Sequence, residues 1–245
     1  MPWAFEPNVG QTDAKAKFLA RANDATVFLT RRGIVLSWKP PNAEVTQPKQ
    51  RSQDALRLDF LDSNRDVRIS GRSMLGGKTN YLLGCNSRKW LRNVPQYSSV
   101  EYDGLYSGID AQFYGGNGGL EYDLVASPGG SWRDIRLRAF GADAMHLDRD
   151  GNLIFRVDQF SVHGRQVVMR RPKIYQTVKG QKVRIAGGYR LFDDNTIGFA
   201  IGKHRPALPI VIDPSISISY TTFLGGNGEE RGSSVAVDSA GAVYV

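Results

Sequence analysis

The sequence predicts an all-β fold, and three observations carry that prediction. Glycine is frequent, with 27 residues in a chain of 245, and glycines at this density punctuate many tight turns. Apolar and polar residues alternate with period two in short runs, as in residues 56–61 and 135–140. Runs with the helical period are scarce. We therefore expect an antiparallel β-sandwich-like body, in one lobe or two, built from half-buried strands.

Strand candidates follow one another along most of the chain. Runs rich in β-branched and aromatic residues cover residues 17–21, 26–30, 34–38, 56–61, 67–71, 110–114, 120–125, 135–140, 145–148, 153–157, 166–169, 173–177, 182–185, 188–192, 196–201 and 208–214. Residues 115–119 (GGNGG) and 149–152 (RDGN) have the composition of hairpin turns. Residues 5–13 are expected to be a turn-rich entry. Residues 39–54, polar with three prolines, are expected to be a loop.

Composition and charge exclude some classes of protein. The net charge is +8, yet the basic residues occur in short, dispersed groups. This pattern indicates a basic solvated surface, and specific nucleic-acid binding stays as an alternative that predicts steep salt dependence. The single cysteine, Cys85, cannot form an internal disulfide, and we expect it to be a small buried hydrophobe. No apolar run reaches the ~18 residues of a membrane span, and the first residues show no secretory signal.

Reactive groups in the sequence do not form a recognisable catalytic or metal-binding pattern. Residues 148–152 (DRDGN) lack the third oxygen ligand and the later Glu of a calcium loop, so a hairpin turn is the interpretation. The three histidines are isolated, without metal-ligand spacing. We therefore predict no metal, no cofactor and no catalytic residue.

Acidic residues near the middle of the chain leave one enzymatic alternative open. A carboxylate pair for glycoside hydrolysis could be drawn from Asp103, Asp110, Glu121 and Asp123. Such a pair is defined by its separation in space, and outward-facing positions on strands explain these residues more simply.

Aromatic residues are concentrated between positions 90 and 122, where they could form a sugar-stacking platform. Large rings of this kind are more often core residues or cross-strand pairs. The aromatic residues in question are Trp90, Tyr97, Tyr102, Tyr106, Tyr114 and Tyr122. Of these, the candidate glycan-binding surface comprises Trp90, Tyr97, Tyr102 and Tyr106.

Several segments occur in the order found in a known family. They are residues 5–13 (FEPNVGQTD), 77–84 (GKTNYLLG), Trp90, 93–97 (NVPQY), 100–110 (VEYDGLYSGID), 113–115 (FYG), 120–125 (LEYDLV) and 208–214 (LPIVIDP). Together they resemble the N-terminal domain of unknown function that precedes SBBP-type β-propeller repeats in secreted bacterial proteins. The resemblance implies an extracellular or cell-envelope location and no known enzymatic activity.

The last segment resembles the first half of one such repeat. It contains residues 219–226 (SYTTFLGG) and residues 235–245 (VAVDSAGAVYV), which predict a hairpin. A propeller blade needs about four strands, so either the chain is a fragment or this hairpin docks on the preceding domain. We divide the chain into residues 1–213, an all-β N-terminal domain, and residues 214–245, a truncated first propeller repeat.

These observations predict a non-enzymatic, extracytoplasmic structural or adhesion module that caps or presents the adjoining propeller repeats. A glycan or a cell-surface component is the expected external partner, with no nucleic acid and no membrane span. The alternatives are a carbohydrate-binding module that uses exposed aromatics and a glycan-active enzyme with a carboxylate pair.

Overall fold

The fold is described from a computed structural model that covers residues 3–22, 25–38, 55–116, 119–157, 165–192, 194–220, 236–237 and 243–244. These residues contain strands and two single-turn 3-10 helices, Ser87–Lys89 and Trp132–Asp134, but no α-helix. The predicted all-β class is therefore confirmed. The strands are β1 (Phe5–Pro7), β2 (Ala16–Ala22), β3 (Ala25–Thr30), β4 (Gly33–Trp38), β5 (Ala55–Phe60), β6 (Arg68–Tyr81), β7 (Leu91–Tyr106), β8 (Ile109–Gly116), β9 (Gly119–Ala126), β10 (Leu137–Phe140), β11 (Ala144–Leu147), β12 (Leu153–Val157), β13 (Arg165–Val178), β14 (Gln181–Arg184), β15 (Gly187–Leu191), β16 (Thr196–Ile201), β17 (Ile210–Tyr220), β18 (Ala236–Val237) and β19 (Val243–Tyr244).

Several strands bury every second residue, as the sequence alternation predicts, among them β3, β5, β8, β9 and β12. In β9 the side chains of Leu120, Tyr122 and Leu124 are buried, while Glu121 and Asp123 between them remain partly exposed. Side chains of a strand point alternately to its two faces, so one face of each such strand covers the core.

The first 17 strands form one antiparallel, hydrogen-bonded sheet. In one half, β2, β3, β4 and β5 pair in sequence order, then β5 pairs with β10, β10 with β16 and β16 with β15. In the other half the order is β6, β7, β8, β9, β17, β13, β12 and β11. Strand β14 pairs with the last residues of β13. The short β1 joins the halves, because it pairs with both β2 and β7.

A single buried cluster draws residues from both halves of the sheet. Leu36 on β4 and Phe155 on β12 both belong to it, as does Phe5 on the joining strand. The sheet therefore curves around one core, and the described residues up to Tyr220 form one lobe rather than two. No helix among them is long and apolar enough to cross a membrane.

Three local predictions differ from the structure. Residues 5–7, expected in a turn, form strand β1. The sequence does not predict it, because three residues are too few to show an alternation of apolar and polar side chains. The segment 91–106, for which no strand is predicted, is the long strand β7, paired along its length with β6. Cys85 is exposed rather than buried, because it lies in the connection between these two strands.

Two predicted features fall largely outside the described residues. The polar loop at residues 39–54 is one of them, as is most of the tail. Within the tail, β18 pairs antiparallel with β19 at the position of the predicted hairpin. Strand β17 runs without interruption through the boundary proposed between residues 213 and 214. The assignment of the tail to a propeller repeat stays a prediction.

The hairpin between β8 and β9 provides a test of backbone packing in this sheet. Gly119 has φ +143°, and a Cβ there would lie 2.0 Å from the carbonyl oxygen of Ile216 on β17. We expect Gly119→Ala to lower the free energy of unfolding by about 2 kcal/mol or more, because strain and a backbone clash add. Gly76→Ala is the control, since a Cβ there has no atom within 4 Å. Urea unfolding followed by circular dichroism measures both, and equal midpoints would contradict the packing.

Candidate functional site

Two of the four predicted glycan-surface residues are in the core. Tyr102 is 0% exposed and Tyr106 is 6% exposed. Their hydroxyls donate hydrogen bonds to the carbonyl oxygens of Thr30 at 2.8 Å and Arg136 at 3.1 Å. Burial raises the pKa of both tyrosines. Rings with so little exposed area are not accessible for stacking on a sugar, so Tyr102 and Tyr106 belong to the core of this structure.

The other two aromatic residues are partly exposed and lie on the long β6–β7 ribbon. The Trp90 indole N–H donates to the carbonyl oxygen of Gly84 at 3.0 Å, which closes the connection between the strands. The Tyr97 ring covers Gly71 on β6, where a Cβ would lie 2.5 Å from the ring. Both rings therefore have internal packing roles in addition to their exposed edges.

A buried carboxylate holds this ribbon against the body. Glu6 on β1 accepts hydrogen bonds from the hydroxyls of Thr79 and Tyr81 on β6. Arg21 on β2 approaches the same carboxylate at 3.5 Å and donates to the Tyr81 hydroxyl at 2.6 Å. Gln96 on β7 donates to the Thr79 hydroxyl at 2.8 Å. A buried charge requires such partners, and the whole network, with Glu6 included, connects strands β1, β2, β6 and β7.

The loop that follows Glu6 is built around one asparagine. The Asn8 side-chain amide donates to the carbonyl oxygens of Asp13 and Ala16 at 2.8 and 3.0 Å, and its oxygen accepts from the Gly10 N–H at 3.1 Å. The Gln11 amide donates back to the carbonyl oxygen of Pro7 at 2.8 Å. Residues 5–13 thus stabilise their own loop and the adjoining ribbon.

The four predicted carboxylates do not converge on one point. Asp103 forms an ion pair with Arg68, and Asp110 accepts from the backbone N–H of Gly104 at 2.7 Å. Glu121 and Asp123 both lie on the outer face of β9.

Asp123 instead has a carboxylate partner that the sequence did not single out. Leu124 lies opposite Ile212, and Glu121 lies opposite Ser215, in one continuous register between β9 and β17. That register places Asp123 directly opposite Asp213. Cβ atoms of directly opposed residues are about 4.5–5.5 Å apart, and like charges in such positions destabilise a sheet.

Neighbouring groups shift the pKa values of Asp123 and Asp213. The Tyr114 hydroxyl donates to Asp123 at 3.0 Å. Burial raises the pKa of Asp123, the charge of Asp213 raises it further, and the hydrogen bond from Tyr114 opposes both. Burial also raises the pKa of Asp213, against the charges of Lys173 and Lys182. The outer face of β8, β9, β17, β13 and β14 therefore carries a cluster that holds protons more tightly than ordinary aspartates.

The cluster offers hydrogen-bond acceptors on an open sheet face. Its oxygens could accept from the hydroxyls or the ammonium group of a ligand. Among the residues that the structure describes, no group of three or more Asp, Glu, His or Cys side chains could hold a metal ion. A depression of about 790 Å³ lies elsewhere and is lined by Asp62, Arg133 and Arg136 among others.

The predicted hairpin at residues 148–152 uses its oxygens internally. The Asp148 carboxylate accepts from the backbone N–H groups of Asp150 and Asn152 at 2.9 and 2.8 Å. The Asn152 side chain donates to Asp148, and this bond holds the pKa of Asp148 below its usual value. β11 and β12 pair on either side, so these residues form a turn.

The profile of a protein family described as Domain of unknown function (DUF7948) matches residues 5–215. The chain belongs to the DUF7948 family. It matches no curated protein and no solved structure. The DUF7948 match confirms that part of the resemblance which concerns a domain of unknown function. The propeller repeats and the secreted location remain predictions.

The segments on which the resemblance rests meet at two places in the DUF7948 domain. Residues 5–13 and 77–84 meet where Glu6 accepts from Thr79 and Tyr81. Residues 113–115, 120–125 and 208–214 meet at the cluster of Tyr114, Asp123 and Asp213. The first place is enclosed and structural, whereas the second faces outwards and is the better candidate for a site.

Removing the buried carboxylate should destabilise the DUF7948 domain. We expect Glu6→Ala to cost about 2–3 kcal/mol in the free energy of unfolding, because the hydroxyls of Thr79 and Tyr81 lose a charged acceptor. Glu101→Ala removes a partly exposed ion pair with Arg72 and should cost less than about 1 kcal/mol. A double-mutant cycle of Glu6→Ala with Tyr81→Phe, measured by urea unfolding, should show coupling; strictly additive losses would contradict the network.

The aspartate pair should make stability depend on pH. The folded-state pKa values of Asp123 and Asp213 are raised. Their protonation therefore stabilises the folded state, fully below the unfolded pKa of about 3.9. This stabilisation is lost as the pH rises through the folded-state pKa values. We therefore expect Asp213→Asn to be more stable than the native chain near neutral pH, by about 0.2–1 kcal/mol. The difference should shrink towards pH ~4, where the native pair is increasingly protonated.

The matched control for this measurement is Asp66→Asn, which removes the same charge from an exposed position. Thermal and urea unfolding of the three proteins across the pH range compare the two variants. A stability difference for Asp213→Asn that is independent of pH, or that matches Asp66→Asn, would show that the two aspartates do not repel each other.

Proposed function

We propose that this domain is a non-enzymatic structural module that anchors the segment after Tyr220 in a fixed orientation. The observation that carries the proposal is the environment of β17. This strand pairs with β9 on one side and with β13 on the other, and its pairing with β13 continues to Tyr220. A strand held in this way cannot swing relative to the body without breaking ladder hydrogen bonds.

The internal use of the family segments supports the same proposal. The Glu6 network and the Asn8 loop stabilise the body, and two rings of the candidate glycan surface are buried. The resemblance adds to this proposal that residues 214–245 begin the β-propeller repeats and that the protein is extracellular or belongs to the cell envelope. In this proposal the domain caps the first repeat and contributes to adhesion through the regions that it presents.

Distances between spin labels test the fixed orientation. In a Cys85→Ser background, one nitroxide is attached at Ser107→Cys on the body and one at Ser239→Cys in the tail. We expect a narrow distance distribution, comparable in width with that of a control pair within the body, Ser107→Cys and Asp150→Cys. Insertion of Gly-Gly-Ser after Tyr220 should broaden the body-to-tail distribution and leave the control pair unchanged.

Two results would overturn the proposal. If the native chain gives a body-to-tail distribution as broad as that of the insertion variant, the domain does not orient the segment after Tyr220. If the purified chain hydrolyses a member of a glycan and ester panel, and Asp123→Asn abolishes that hydrolysis, the domain is an enzyme.

A further inference from the structure

The β6–β7 ribbon combines exposed apolar side chains with a run of basic residues. The three most exposed large apolar side chains all lie on it: Leu83 at 75%, Met74 at 67% and Leu82 at 53%. Residues 67–100 also contain six Arg and Lys residues and no Asp or Glu. The ribbon is therefore apolar and cationic at once.

The cations divide into two groups along the ribbon. Near its root, Arg68 pairs with Asp103 and Arg72 pairs with Glu101. The remaining four lie farther along, and within the described structure none of them forms an ion pair with a carboxylate. These four are Lys78, Arg88, Lys89 and Arg92. Their charge is available to a partner.

The end of the ribbon, residues 82–92, comprises the connection between the strands and the first two residues of β7, and we call it the ribbon tip. It has a defined conformation. The Trp90 indole bonds to the Gly84 carbonyl, and the Asn86 side chain accepts from the Arg88 backbone N–H at 3.0 Å. Arg92 lies over the Trp90 ring at 5.2 Å. A preformed tip loses little conformational freedom when it binds.

We propose that the ribbon tip docks on the surface of an anionic phospholipid bilayer. Leu82 and Leu83 would enter the boundary between headgroups and acyl chains, while Arg88, Lys89 and Arg92 contact the acidic headgroups. Membrane-surface binding depends on the buried apolar area plus attraction to anionic lipid, and the tip supplies both. A protein partner fits less well, because a stable interface needs about 800 Å² on each side and two leucines on a narrow ribbon offer much less.

Vesicle binding by the full chain tests the proposal. Sedimentation with vesicles of equal parts phosphatidylglycerol and phosphatidylcholine should recover the protein, whereas vesicles of phosphatidylcholine alone should not. The double variant Arg88→Gln with Lys89→Gln should weaken partitioning about 25-fold at low salt, because each basic residue near an anionic surface contributes about fivefold. Leu82→Ser with Leu83→Ser should weaken it at least about tenfold.

Matched variants control for charge and hydrophobicity elsewhere on the surface. Arg149→Gln with Lys203→Gln removes two exposed charges, and Val183→Ser removes an exposed apolar side chain that is 48% accessible. Both should bind vesicles like the native chain. Circular dichroism and thermal unfolding should show that every variant folds, since all the altered side chains are exposed.

The native thiol at Cys85 reports insertion directly, because it lies in the ribbon tip and is exposed. An environment-sensitive fluorophore attached there should shift its emission to the blue on anionic vesicles. The proposal fails if the native chain does not bind anionic vesicles, or if the tip variants bind as well as the controls. It also fails if binding occurs without the blue shift and heparin competes fully, because the ribbon would then bind polyanions by charge alone.

Discussion

The three-residue strand β1 joins the two halves of the sheet, and the rest of the architecture depends on its position. Phe5 lies opposite Ala20 on β2 and Tyr97 on β7, and its ring is wholly buried in the shared core. Glu6 points to the other face, as adjacent strand residues must. There it accepts from Thr79 and Tyr81 on the ribbon. Phe5 thus packs in the core, while Glu6 bonds β1 to the ribbon.

The sheet contains two different solutions for a partly or fully buried carboxylate. Glu6 is compensated by hydroxyl donors and by Arg21, so its charge is stabilised where it lies. Asp123 faces Asp213, and the lysines near Asp213 do not prevent its pKa from being raised. A sheet selected for stability alone would place opposite charges in directly facing positions. The outward aspartate pair therefore lowers the stability of the sheet, and the fold does not require it.

Local alternation explains how much of the fold the sequence predicts. Residues 120–125 predict β9 because the strand has one constant environment on each face. The sequence does not predict β7, because the partner on one of its edges changes along its length. That partner is β1 at Tyr97 and β8 from Ser99 onwards, while β6 pairs with the other edge. Asp123 is visible as a candidate, but its partnership with Asp213 depends on the pairing of two strands that are distant in sequence. The burial of Tyr102 and Tyr106 depends on the same long-range packing.

The positive charge shows the same difference between sequence and structure. In the sequence the basic residues are short, dispersed groups, which predicts an ordinary solvated surface. The pairing of β6 with β7 brings residues 65–72 and 88–92 into one ribbon. Residues 67–100 contain no Asp or Glu and contribute +6 of the net charge of +8. Like charges within a Debye length of about 8–10 Å repel each other, and Glu101 and Asp103 relieve this repulsion at the root alone. The field of the protein is therefore concentrated towards the ribbon tip, where the exposed leucines lie.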